Sequence, residues 1–118
     1  MVISVTTISI DALGGDFVPA SIVVGLVRVA QKNKRIHFLL HGQEEQLRKL
    51  VAKRQSLKGR VTIIDSVEVI KMEDKPSHVV RHGKATSMWS AIDSVRDGNA
   101  SVCVSCGNTG ALMAISMV

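Results

Sequence analysis

Short apolar runs alternate along this chain with segments of helical spacing, and that alternation leaves few folds open. Residues 7–10, 36–40, 61–64 and 101–104 read as strands, each four or five residues long and rich in Ile and Val. Between them, Pro19 opens a helix with Ile22, Val23, Leu26, Val27 and Ala30 at helical intervals, closing in a polar turn at 31–35. Residues 44–54 form a second helix with Leu47, Leu50 and Val51 inward. A longer connection at 65–76 leads to a short helix at 76–83. Thr86 or Ser87 then caps a helix to about Arg96, which Asp97 and Gly98 stop. Asn108 or Thr109 opens the last helix. This order predicts an α/β fold, a doubly wound parallel sheet with helices on both faces.

Two of the strand-to-helix loops carry glycine. Asp11, Gly14, Gly15 and Asp16 follow the first strand, and Ser105, Gly107, Asn108, Thr109 and Gly110 follow the fourth. Loops at the carboxyl ends of parallel strands are where ligands bind in such sheets. Glycine there lets main-chain N–H groups approach an anion, and a helix N-terminus adds the positive end of its dipole. The 105–110 loop offers Ser105, Asn108 and Thr109 as further donors, so phosphate or a developing oxyanion is the expected ligand. For the first loop, tight turning and helix capping account for the residues as well as ligand binding does. Lys84 beside Thr86 and Ser87 adds a cation before another helix start, with Arg81 and His82 near it. The glycine spacing is not that of a dinucleotide-binding turn, and no cofactor is expected.

Composition narrows the class. Hydrophobic residues make up 46% of 118, which suits a globular protein, and no apolar stretch reaches the roughly 20 residues of a membrane span. The chain opens with no basic-then-apolar leader, and its two cysteines fit a reducing cytoplasm. Cys103 and Cys106 have C-x-x-C spacing but lack partner ligands for zinc, and Cys103 should be buried in a strand. The pairs His37/His41 and His78/His82 read as surface or packing residues, so no metal site is expected. The net charge of +5 is concentrated: ten of the fifteen Lys/Arg fall between Arg28 and Arg60, against Glu44 and Glu45 alone. Such a segment attracts an acidic protein or anionic lipid, unless it is simply a solvated face. Nucleic acid is disfavoured by two Phe, one Trp and no Tyr for stacking. The last segment, 111–118, is apolar on nearly every side and stops without a cap, so the natural protein is expected to continue.

Four stretches together are specific enough to resemble a family. They are D-A-L-G-G-D at 11–16, the segment 68–76, Lys84 to Met88, and S-C-G-N-T-G-A-L at 105–112. Their order and spacing resemble the bacterial phosphate acyltransferases of phospholipid synthesis, the PlsX family, over essentially the whole chain. Leu13 stands where that family usually has Met, and Cys106 where it usually has Ala.

The resemblance implies transfer of an acyl group from acyl carrier protein to inorganic phosphate, giving acyl phosphate. It implies a dimer whose fold is like isocitrate and isopropylmalate dehydrogenases, with a cleft between two lobes, of which residues 1–118 supply only the N-terminal part. Matching positions make Asp11, Gly14, Gly15, Asp16, Ser87, Ser105, Gly107, Thr109 and Gly110 the candidate phosphate-binding set, with Asn108 and Lys84 as candidate catalytic groups. The basic segment would then meet the carrier protein or an anionic membrane. A non-catalytic phosphate- or nucleotide-binding module, or an inactive fragment lacking half its cleft, are the competing expectations.

Overall fold

The computed structural model describes residues 4–14 and 19–118. In chain order the elements are β1 (Thr6–Asp11), α1 (Pro19–Lys32), β2 (Ile36–Gly42), α2 (Glu44–Ala52), a 3₁₀ turn (Gln55–Leu57), β3 (Val61–Asp65), α3 (Pro76–His82), α4 (Ser87–Arg96), β4 (Val102–Ser105) and α5 (Thr109–Ser116). The four strands form one parallel sheet in the order β3-β2-β1-β4. The fold is therefore α/β, with strand and helix following one another as the residue pattern predicts.

Strand alternation divides the interior into two cores. Ile10, Phe38 and Leu40 point to one face, where Val23, Leu26 and Ala30 of α1 and Leu47 of α2 cover them. The other face carries Ser9, Asp11 and His41, and α4 lies on it: Ser9 Oγ donates to Ala91 O at 2.8 Å. Behind α4, a second apolar cluster joins Val79 of α3, Met88, Trp89 and Ile92 of α4, and Ala111 and Ile115 of α5.

The helix ends use local chemistry. Thr86 caps α4 by accepting from Trp89 N, and Asn108 caps α5 by accepting from Ala111 N at 3.1 Å. Gly98, at φ +80°, carries the chain out of α4 in the left-handed conformation that other residues avoid. Gln43 makes no side-chain cap for α2; Asp65, arriving from β3, accepts from Glu44 N at 3.0 Å instead. In α5 the structure buries Ala111 and Ile115 and leaves Met113 and Met117 exposed, so one side of this apolar helix faces outward.

Arg60 does not belong to the basic surface with which its charge groups it in the sequence. Its guanidinium reaches back to the end of α1 and donates to the carbonyls of Ala30, Asn33 and Ile36 at 2.5–3.0 Å. The Ala30 and Asn33 carbonyls lie where α1 leaves its last C=O groups without partners, and Ile36 opens β2. Six of the remaining cations lie around the amino ends of the strands: Lys32, Lys34 and Arg35 precede β2, and Lys53, Arg54 and Lys58 precede β3, whereas Arg48 pairs with Glu44 beside Asp65 at the carboxyl ends of these strands.

Candidate functional site

Successive strands step outward from β1 through β2 to β3, and the chain then returns to place β4 on the other side of β1. The connections after β1 and β4 consequently diverge, leaving a crevice at their carboxyl ends. Asp11 and Ser105 are lateral partners in the register, so the two glycine loops, 94 residues apart in sequence, leave the sheet side by side.

The Asp11 carboxylate holds this crest together. Its Oδ1 accepts from Leu13 N at 3.1 Å, Gly14 N at 3.0 Å and Ser87 Oγ at 2.5 Å; its Oδ2 accepts from Ser105 Oγ at 2.8 Å. The Ser105 hydroxyl in turn accepts from Gly107 N at 3.0 Å. Asp11 is 1% exposed, and so large a set of donors is what a buried carboxylate requires. Ser87 is the first residue of α4, so the carboxylate also sits at the positive end of that helix. With both oxygens engaged inward, Asp11 organises the two loops.

The glycines follow from this packing. A Cβ on Gly14 would fall 2.3 Å from Asp11 Oδ2, and one on Gly107 would fall 2.9 Å from the Met88 methyl and 3.2 Å from Ser105 Oγ. Any side chain at Gly14 would displace the carboxylate that its own N–H binds. Gly15 and Asp16 lie outside the described residues.

Asn108 is committed on both sides of its amide. Besides capping α5 through Oδ1, it donates from Nδ2 to the main-chain carbonyls of Lys71, Met72 and Asp74 at 3.2, 3.2 and 2.8 Å. It ties the long connection before α3 to the start of α5. Asn108 O accepts from Leu112 N, so the cap residue satisfies the third and fourth N–H groups of α5. The N–H groups of Thr109 and Gly110 precede any intrahelical partner and open the helix beside Ser105. Thr109 itself is exposed, and Gly110 packs against Pro76.

Lys84 is not brought to this cluster. It is exposed on the turn between α3 and α4 and lines a separate depression with Val80, Trp89, Asp93 and Arg96. Ser87, its neighbour in the motif, is fully buried and spends its hydroxyl on Asp11.

One buried network escaped the sequence reading. His41, also fully buried, is the lateral partner of Asp11 in β2. Ser9 Oγ spends its proton on Ala91 O, and Ser94 Oγ spends its own on Ser90 O. His41 Nε2 therefore carries the hydrogen toward Ser9 and Ser94, at 2.9 and 3.3 Å, while Nδ1 accepts from Ser90 Oγ at 2.7 Å. Burial lowers its pKa to about 4, against a smaller upward pull from Asp11. Two signals were present in the sequence: a histidine inside an apolar strand, and serines at 90 and 94, one helical turn apart. Burial also pushes the Cys103 thiol up to about 11, with the Asp11 charge adding to it, so this thiol stays protonated at neutral pH. Among the described residues, no three His, Cys, Asp or Glu side chains gather as a metal site.

The fold is that of the parallel α/β proteins, in which a glycine loop and a helix N-terminus at the strand-order reversal are favourable places for an anion. The chain belongs to the fatty acid synthesis protein family, whose model matches residues 6–118. It is 63% identical over 113 residues to a phosphate acyltransferase of Dinoroseobacter shibae, covering 96% of this chain and 29% of that protein. It is 61% identical over 113 residues to a phosphate acyltransferase of Ruegeria sp. (strain TM1040), covering 96% and 30%. A phosphate acyltransferase of Ruegeria pomeroyi is 59% identical over 111 residues, covering 94% and 30%. The chain thus spans slightly under a third of the length of these relatives.

Proposed function

We propose that the protein carrying this chain is a phosphate acyltransferase that moves an acyl group from an acyl carrier protein thioester to inorganic phosphate, in phospholipid and fatty acid synthesis. The observation that carries this reading is the position of the 105–110 loop. It begins α5 at the crest where the strand order reverses, with the N–H groups of Thr109 and Gly110 at the helix start. Phosphate seated there attacks the thioester carbonyl. The new C–O bond forms as the C–S bond breaks, and the phosphate proton passes to the departing thiolate. No protein nucleophile is needed: the chain's contribution is to hold the anion and stabilise developing charge with main-chain dipoles.

In this reading Asn108 positions the loop, and Asp11, Gly14, Ser87, Ser105 and Gly107 keep its two halves in register, with Gly15 and Asp16 completing the first loop. Lys84 contributes its charge only at a distance, so the reading rests on the loop. We propose further that residues 1–118 form the first part of a two-lobed, dimeric domain like that of isocitrate and isopropylmalate dehydrogenases. The 30% coverage of the relatives supports the chain's being part of a longer domain, and the parallel sheet is of the α/β kind such a domain requires; the lobes and the dimer rest on the family resemblance. No described helix is long and apolar enough to cross a membrane. We place the protein in the cytoplasm, with the basic end as a peripheral tether to anionic lipid. That end lies at the strand amino termini, opposite the crest, which favours a tether over a dock for the acyl donor.

The test is acyl-phosphate formation, trapped with hydroxylamine, by the protein as its host makes it, given acyl carrier protein thioester and phosphate. Replacing Asn108 with Ala frees the 71–74 connection and uncaps α5, and should lower turnover by about a hundredfold. Unchanged turnover overturns the site.

A further inference from the structure

The side of α4 that lies on the sheet is polar. Ser87, Ser90, Ala91 and Ser94, at i, i+3, i+4 and i+7, form one stripe, and they meet Asp11, His41 and Ser9 of the strands. Met88, Trp89 and Ile92 join instead the apolar cluster with α3 and α5. The stripe's side chains are small, so Ser9 Oγ reaches the main chain of α4 itself, at Ala91 O. Directed hydrogen bonds therefore run the length of this contact.

Apolar stripes slide past one another at small cost, whereas a hydrogen bond weakens steeply once its donor leaves the line to the acceptor. A slip of one helical turn, about 5.4 Å, would leave the buried His41 and Asp11 without these partners together. One ring grips two successive turns: His41 Nδ1 accepts from Ser90 Oγ at 2.7 Å, and Nε2 donates to Ser94 Oγ at 3.3 Å. Ser87 lies one turn before Ser90, and its hydroxyl donates to Asp11 Oδ1 at 2.5 Å. Whatever fixes the register of α4 thus also fixes whether Ser87 meets the carboxylate that holds both crest loops.

We propose that His41 is a positioning residue for the phosphate at the crest: by gripping Ser90 and Ser94 it sets the register of α4, which brings Ser87 to Asp11 and holds the two loops at the spacing the anion needs. This rests on the acyltransferase reading and adds to it a residue buried beneath the crest. It also accounts for a polar ring and serine hydroxyls where apolar side chains would pack with nothing to satisfy: the polar set specifies one register.

The experiment measures acyl-phosphate formation and, separately, phosphate binding by calorimetry. It compares the natural full-length protein with His41→Leu, His41→Gln, Ser87→Ala and the double variant of His41→Leu with Ser87→Ala. His41→Leu should raise KM and Kd for phosphate by about tenfold, while KM for the carrier-protein thioester stays within about twofold. Glutamine, with a donor and an acceptor on one amide, should bring phosphate back to within about threefold of the parent. The double variant should lose no more than the worse single, because both act through Ser87 meeting Asp11. Effects that multiply in the double variant, equal rises in both KM values, or an unchanged KM for phosphate overturn the positioning role and leave the acyltransferase reading standing. Should His41→Leu fail to fold, Ser90→Ala removes the Nδ1 contact, leaves the strand intact and takes its place in the same cycle. Phosphate binding that weakens in the variants of a protein forming no acyl phosphate upholds the positioning role and overturns the acyltransferase reading. No phosphate binding by the unsubstituted protein overturns both.

Discussion

Asp11 and His41 sit side by side in the sheet, and their burial has opposite consequences. Asp11 is buried with donors on both oxygens, which compensates for the lost water. His41 is buried neutral, with three serines completing its ring nitrogens. Protonating it inside the fold costs free energy that the unfolded chain does not incur. Its folded pKa is about 4 against 6.5 unfolded, so between these values the unfolded state binds more protons. The contribution is fully present above about pH 6.5 and is lost as pH falls toward 4, on the order of 2–3 kcal/mol across the window. Urea unfolding of the parent between pH 7 and 4.5 should show stability falling with acid. In a His41→Gln variant that fall should be shallower by the histidine's share. Parallel slopes would mean that His41 titrates alike in both states.

At the scale of elements, the return of each helix to the sheet depends on contacts from distant segments. α1 ends on the guanidinium of Arg60, which reaches three carbonyls at once. Lysine has the charge but not the planar fork, and cannot serve three acceptors in that geometry. Arg60→Ala should therefore destabilise the fold by about 2–3 kcal/mol, and Arg60→Lys should recover less than half of the loss. Chemical denaturation of the two variants checks both; full recovery by lysine would reduce the clamp to a simple charge. The crest shows a similar dependence. Residues 105–110 look like an anion loop in isolation, but the loop's shape is held by Asp11 from β1 and by the carbonyls of residues 71–74. Chain periodicity marks the elements well because each helix needs only one apolar stripe and each strand only alternation. It is silent on which distant side chain completes each end.

Across the whole molecule, the parallel sheet separates charge from chemistry. The loops after β1 and β4 carry the crest glycines, and the chain leading into β2 and β3 carries Lys32, Lys34, Arg35, Lys53, Arg54 and Lys58, none of which has an ion-pair partner among the described residues. A triple reversal, Lys53→Glu, Arg54→Glu and Lys58→Glu, should weaken cosedimentation with anionic vesicles by at least about tenfold at low salt. Binding by the parent should fade as salt shortens the screening length. KM for the carrier-protein thioester should stay unchanged; a rise in KM with vesicle binding intact would make this end the donor's dock instead. The residue pattern by itself determined the alternation of strands and helices, narrowed two helix caps to Thr86 or Ser87 and Asn108 or Thr109, and marked the two glycine loops. These are short-range matters of periodicity, capping and turn chemistry. Tertiary structure alone decided that Asn108 ties down residues 71–74, that Lys84 faces another depression, that Arg60 clamps a helix and that His41 is buried among serines. Each depends on which side chains the parallel crossovers bring together across tens of residues, and no local pattern encodes that distance.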